Sequence, residues 1–284
     1  MAGEWGGNEI RFGERGARLT YGSYLRLQDL LGAQHLESSV HGAPAHDELL
    51  FITIHQVYEL WFQQLLHEAT AARDAMLGGD GGARAGGTGD DAQRLWWAQH
   101  LLQRMHVIER VLVQQIDVLE TMTPQDFLEF RQRLAPASGF QSVQFRELEF
   151  LSGAKDPSYV KRFRGLTDHE KEGLALRLAE PTLWDAFCQV LVDQGLAAAD
   201  DDQIRASLHT AAHDRSSYPE VWALAEALLQ HDELAAAWRA RHVVMVERMI
   251  GGKSGTGGSS GAGYLRSRLD LKYYPLLWDL RSAL

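Results

Sequence analysis

The sequence predicts an all-α protein. Apolar residues return at intervals of three and four through long segments, with no convincing strand-like alternation and no repeat period. Helix-start signals accompany the pattern, most clearly at 123–126, where Thr123 serves as cap, Pro124 takes the first position and Asp126 completes a capping box. Glycine-rich stretches at 78–89 and 251–263 separate the segments, and residues 1–284 read as a single helical domain.

Residues 1–18 are Gly-rich and charged, and are expected to be flexible or docked on a partner. A helix is expected over 19–31, capped by Thr20, with Tyr24, Leu27 and Leu31 as its stripe. Tyr21 and Tyr24 there either anchor packing or reach a ligand. Residues 32–46, with Gly32, Gly42 and Pro44, read as a loop. Asp47 opens a long helix to Met76 on which Leu50, Ile54, Val57, Trp61 and Leu65 recur at helical spacing. Phe51 and His55 stand four apart and share a face. Set among apolar neighbours, His55 reads either as a core histidine or as one wall of a sandwiched cofactor site.

The stretch 78–90 is a flexible connector; it lacks the GKS or GKT ending and the preceding strand of a phosphate loop. A second long helix is expected over 91–120, with Leu95, Leu102, Met105, Ile108, Leu112 and Ile116 on its apolar side. Its His100 and His106 are six apart and do not form a metal pair. Helical segments at 127–134 and within 136–151 follow. Arg131, four after Phe127, reads as a surface or salt-bridged residue, or as a bidentate clamp for a carboxylate.

Residues 155–182 form a charged connector of short helices, followed by helical patterns near 183–195, 201–213 and 218–231. His209 and His213, four apart, make a weak metal signal with no third ligand evident. From 238 to 250 another helix sets Trp238, His242, Met245 and Met249 on one side. His242 is then a satisfied core histidine or an axial metal ligand, and a heme is the metal group that apolar walls suit. A Gly/Ser loop over 251–263 leads to a last helix and an aromatic tail from Tyr264.

The composition narrows the function. A net charge of −10 and a pI near 5.6 argue against nucleic acid as a partner. Cys188 stands alone, which leaves no internal disulfide framework and fits a reducing cytoplasm. No basic and apolar leader opens the chain, and no apolar run approaches the roughly 20 residues that span a bilayer. Eight Trp, eight Tyr and ten Phe supply surface for a deep core or a pocket for a flat ligand.

Taken together, YGSYLRL from Tyr21, HDELLFITIHQVYELW from His46, FR at 130–131, PASGFQSVQFR from Pro136, RH at 241–242 and GTGGSSG from Gly255 resemble the tryptophan 2,3-dioxygenase family along nearly the whole chain. The resemblance implies a helical protein that binds heme b, active with ferrous iron and using O₂ as co-substrate. It would be a cytoplasmic homotetramer that inserts O₂ across the indole C2–C3 bond of L-tryptophan, giving N-formylkynurenine in the first step of the kynurenine pathway. In this carry-over His242 is the proximal iron ligand, and Trp238, Met245, Ser138 and Gly139 line the heme. His55 is the distal histidine that orients the indole N–H, and Phe51 and Phe127 are walls of the indole pocket. Arg131 clamps the substrate carboxylate and Thr256 meets its amino-acid group. Tyr21, Tyr24 and Leu25 belong to an N-terminal helix that completes the neighbouring subunit's pocket.

Phe127 stands where some members carry tyrosine and others phenylalanine, Ser254 occupies a variable position, and the long 78–89 insert is peculiar but lies in a connector. Residues around Ile116 and Asp117 are further candidates for shaping the distal side. Two other functions share these residues: a biosynthetic relative that puts one oxygen atom into a substituted indole or tryptophan, and a non-catalytic heme- or indole-binding protein.

Overall fold

A computed structural model describes residues 18–40, 42–78, 91–162, 165–258 and 260–284. The expectations for residues 1–17 and for most of the 78–90 connector lie outside the described residues. Every regular element among the described residues is helical. In chain order they are α1 (Tyr21–Tyr24), α2 (Leu27–Leu31), α3 (Glu37–Val40), α4 (Glu48–Met76), α5 (Asp91–Leu119), α6 (Pro124–Arg131), α7 (Val143–Ser152), α8 (Ser158–Arg162), α9 (Asp168–Ala179), α10 (Leu183–Asp193), α11 (Asp201–His213), α12 (Pro219–Ile250), α13 (Ala262–Arg266) and α14 (Pro275–Ala283).

Three long helices make the frame. α5 packs along both α4 and α12, while α7 and α10 close over α4 and α14 packs on α11. Leu65 and Ala69 of α4, Leu102 and Met105 of α5, and Leu228 of α12 are fully buried in the resulting core. Burial of such stripes, rather than intrinsic propensity, holds helices of this length in register.

Several boundaries differ from the sequence expectation, each for a local reason. The segment 19–31 is two short helices, because Arg26 adopts a left-handed backbone (φ 52°) between them. Neither piece buries a residue, so no packing enforces continuity; the Thr20–Ser23 capping box closes the first turn and Arg26 Nε donates to Asp29 at 2.7 Å in the second. The Thr123 capping box starts α6 at Pro124, and its tail tightens into a 3₁₀ turn over Gln132–Leu134. A second 3₁₀ turn, Gly139–Gln141, is capped by Ser138 before Ser142 caps α7. The patterns at 218–231 and 238–250 are one unbroken helix, since neither glycine nor proline interrupts the intervening HDELAAA. The aromatic tail folds back on α12, where buried Asp232 accepts from the Tyr273 and Tyr274 amides at 2.8 and 3.1 Å and from Trp278 Nε1 at 2.9 Å.

The fully buried Leu102 sits in this three-helix seam, so Leu102→Ala is expected to lower the unfolding free energy by about 2–5 kcal/mol, read from denaturant titration. His106 is buried on α5 with Nε2 on the Ala227 carbonyl at 2.9 Å, and burial depresses its pKa to about 4. The unfolded chain therefore takes up this proton below about pH 6.5 while the folded chain resists it until about pH 4. Stability is expected to fall across that window by about 3 kcal/mol more in the native chain than in His106→Gln, measured as unfolding free energy against pH.

Candidate functional site

A cavity of about 260 Å³ lies between α4, α5, α6, α7 and α12 and is bordered by the loop after Ile250. His55 and His242 enter it from different helices, α4 and α12. His55 Nδ1 lies 2.7 Å from the Phe51 carbonyl, which can only accept, so Nδ1 carries the proton and Nε2 keeps its lone pair. Burial holds the His55 pKa below its ordinary value, against that hydrogen bond and the Glu59 carboxylate. Burial, and then proximity to His55, pushes His242 down to about 4. Both rings are neutral near pH 7.

Around His55 the walls are aromatic. Phe51 lies against it, tilted by 38° with ring centres 4.1 Å apart, and Phe51, Phe127 and Phe130 contact one another at 5.5–5.6 Å. On the other side His242 stacks on Trp238 at 5.0 Å, and Trp238 packs on Phe145 at 5.1 Å. Met245 and Met249, one and two turns beyond His242, line the same cavity with Ile116, Leu119 and Met122 of the α5 end. Asp117 turns outward and pairs with Arg241.

Arg131, the last residue of α6, borders the cavity and hydrogen-bonds the Ser254 carbonyl in the glycine loop. Thr256 donates from Oγ1 to the Ala137 carbonyl at 2.6 Å, beside Ser138 and Gly139. The loop lies against this segment so closely that a Cβ on Gly257 would meet Ser138 Cβ at 2.7 Å, and a Cβ on Gly261 would meet the Lys253 carbonyl at 2.6 Å. Gly261 also has φ 61°, a left-handed conformation that side chains resist. These two contacts explain why the sequence there is glycine.

Of the thirteen residues expected at the site, Phe51, His55, Phe127, Arg131, Ser138, Gly139, Trp238, His242, Met245 and Thr256 line this one cavity. Tyr21, Tyr24 and Leu25 do not; they stand exposed on and after α1, with Tyr21 at 77 % and Tyr24 at 70 %. His209 and His213 stack on each other at 4.1 Å on exposed α11, and no group of three or more His, Cys, Asp or Glu capable of holding a metal occurs among the described residues. The cavity instead offers single imidazoles on apolar walls.

One set of lining residues escaped the sequence reading. Arg146 and Glu149 of α7 pair within the cavity wall, Arg268 stands 3.9 Å from the same carboxylate, and the Arg146 guanidinium lies over Tyr159 at 4.1 Å. The Nε atoms of Arg146 and Arg268 are buried without a hydrogen-bond partner. The available signal was an Arg and a Glu three apart in the stretch FRELEFL, where charges are interleaved with Phe and Leu.

Comparison with known proteins bears on the whole chain. A family model for tryptophan 2,3-dioxygenase matches residues 8–203 and 197–284. The chain is 74 % identical over 277 residues to the tryptophan 2,3-dioxygenase of a Nocardioides species, covering 98 % of this chain and 99 % of that one. It is 43 % identical over 276 residues to the protein of that name from Herpetosiphon aurantiacus, and 38 % over 282 residues to that of Caulobacter vibrioides, each match covering 94 % of this chain and 98 % of the relative. With its helical frame, its paired histidines and relatives matched from end to end, the chain belongs to the tryptophan 2,3-dioxygenase family.

Proposed function

We propose that this enzyme inserts both atoms of O₂ across the indole C2–C3 bond of L-tryptophan to give N-formylkynurenine, using heme b held by His242. The observation that carries the reading is the pair of neutral histidines, His55 and His242, on one apolar cavity with a guanidinium at its border. The dioxygenase names of the relatives favour it over monooxygenation of a substituted indole.

The residues present fit heme. His242 is a neutral imidazole on an apolar face, as axial ligation requires, and Trp238, Met245 and Met249 flank it on the same helix. The unpartnered buried Nε atoms of Arg146 and Arg268 match the two carboxylates such a group brings into a protein interior. When bound, heme supplies the redox chemistry with O₂ that amino-acid side chains lack.

The chain's own residues then select and orient the substrate. A zwitterion entering apolar surroundings needs both charges met. Arg131 offers its planar fork to the carboxylate, exchanging the Ser254 carbonyl for a charged acceptor. Thr256 already donates its proton to Ala137, so its oxygen lone pairs remain for the ammonium. The indole N–H donates to His55 Nε2, the acceptor nitrogen of this tautomer, which orients the ring without making His55 an obligatory base. Phe51 and Phe127 hold the ring between apolar faces, and the glycine loop excludes water over the amino-acid end. Tyr21, Tyr24 and Leu25 present an exposed apolar patch that suits a neighbouring subunit's pocket in a homotetramer. No helix among the described residues is long and apolar enough to cross a membrane, in keeping with a cytoplasmic enzyme.

With heme-loaded, reduced protein in ¹⁸O₂, the product from L-tryptophan is expected to carry two labelled oxygens in a ring-opened formyl compound; one label on an intact ring would overturn the dioxygenase reading. Arg131→Ala is expected to raise KM for L-tryptophan roughly 30-fold or more, equivalent to about 2 kcal/mol or more, while the heme absorption spectrum stays as in the parent. His242→Ala is expected to abolish stable heme loading, and correctly coordinated heme in that variant would remove the ligand assignment.

A further inference from the structure

Behind the aromatic wall formed by Phe62, Phe145 and Trp238 lies a second, smaller cavity of about 30 Å³. Trp238 and Arg239 belong to the walls of both cavities. The rest of its polar lining comes from a chain of buried groups. Ser152 Oγ donates to the Leu148 carbonyl at 2.7 Å, so it accepts from His231 Nε2 at 2.8 Å. His231 Nδ1 faces Glu109 Oε1 at 2.5 Å. With both ring nitrogens donating, His231 is an imidazolium. Burial opposes that charge, but the facing carboxylate of Glu109 outweighs it and raises the pKa above its ordinary value.

Ser, His and Glu in a row are the residue types of an acyl-transfer triad. Here the hydroxyl proton is committed to a backbone carbonyl and the three residues are at most 5 % exposed, so no substrate reaches them. The chain ends instead on unmatched groups. Glu109 Oε2 is buried with no hydrogen-bond partner. On the same cavity, Arg239 uses Nη2 on the Leu271 carbonyl at 2.8 Å and stands 3.9 Å from Asp232, while its Nε and Nη1 are buried and unpartnered. Both residues are only 5 % exposed.

We infer that the small cavity is a built site for one internal water molecule, which donates to Glu109 Oε2 and accepts from Nε or Nη1 of Arg239. Three facts carry this. The space exceeds the roughly 10–15 Å³ that a single water needs. Two of its lining residues, Glu109 and Arg239, carry buried unpartnered atoms, an acceptor on one and donors on the other, which an uncharged molecule with both functions satisfies. Leaving these groups bare would cost more than immobilising the water. A bound ion fits less well, because Glu109 already faces His231 and Arg239 already stands 3.9 Å from Asp232. The water completes a polar seam from Ser152 of α7 through α5 and α12 to Leu271, and it holds the side chain of a residue, Arg239, that also lines the larger cavity.

A high-resolution crystal structure of the full heme-loaded chain tests the site directly. Expected is one ordered oxygen about 2.7–3.2 Å from both Glu109 Oε2 and an Arg239 nitrogen. An empty cavity, or density that touches only one of the two groups, overturns the inference. The second measurement is the thermal midpoint of Ala235→Val, which adds methyl groups at the cavity wall. Displacing a bonded water should lower the midpoint by about 2–4 °C. A raised or unchanged midpoint would mean that a dry hole had been filled, and would sink the proposal.

Discussion

Desolvation is the constraint on which the rest of the molecule turns. Two helices that share α5 as a neighbour each push one imidazole into a space with aromatic and methionine walls, and burial there keeps both rings uncharged. A neutral ring on α12 is able to ligate iron, and a neutral ring on α4 with its Nδ1 proton committed to Phe51 is able to accept from an N–H. Had either face been wetter, protonation would compete with both roles close to neutral pH. The long helices serve this end: their buried stripes stabilise the fold and exclude the water that would otherwise hydrate the rings.

Charged side chains line that apolar space in separate groups. Arg131 and the glycine loop stand at one border, and Arg146, Glu149 and Arg268 at another. This division suits a flat apolar molecule with charged ends, because each end meets a partner while the middle meets only carbon and neutral nitrogen. The loop adds a different property. Its close approach to Ser138 and its left-handed Gly261 are conformations the backbone adopts without side chains, so the loop is shaped by backbone sterics, with Thr256 bonded to Ala137 and Arg131 to Ser254.

Much of this was legible in the residue order. Trp238, His242, Met245 and Met249 share a face by period alone, as do Phe51 and His55, and both groups line the cavity. Thr-Pro-Gln-Asp marked the start of α6 because a capping box is a local interaction, complete within four residues. Features that depend on distant partners were not legible. The break at Arg26 lies between two short helices that bury no residue among the described ones. The inward placement of Arg146 and Arg268 requires knowing that α7 and the segment after α13 meet at Glu149. Tyr21, Tyr24 and Leu25 stand exposed, and no contact among the described residues gives them a role.

The continuity of α12 sets limits on how this chain can change in length. Its 32 residues rise without a break from Pro219 to Ile250, so His231, Asp232, Arg239 and His242 are locked to one another at fixed heights and angles. Adding or deleting a single residue between positions 232 and 242 would turn His242 against Asp232 by about 100°. Either the imidazole would leave the cavity or the Asp232 carboxylate would leave the tail it gathers. Insertions and deletions are therefore excluded along this helix, whereas substitutions on its exposed side, at positions such as Val244, leave the spacing intact.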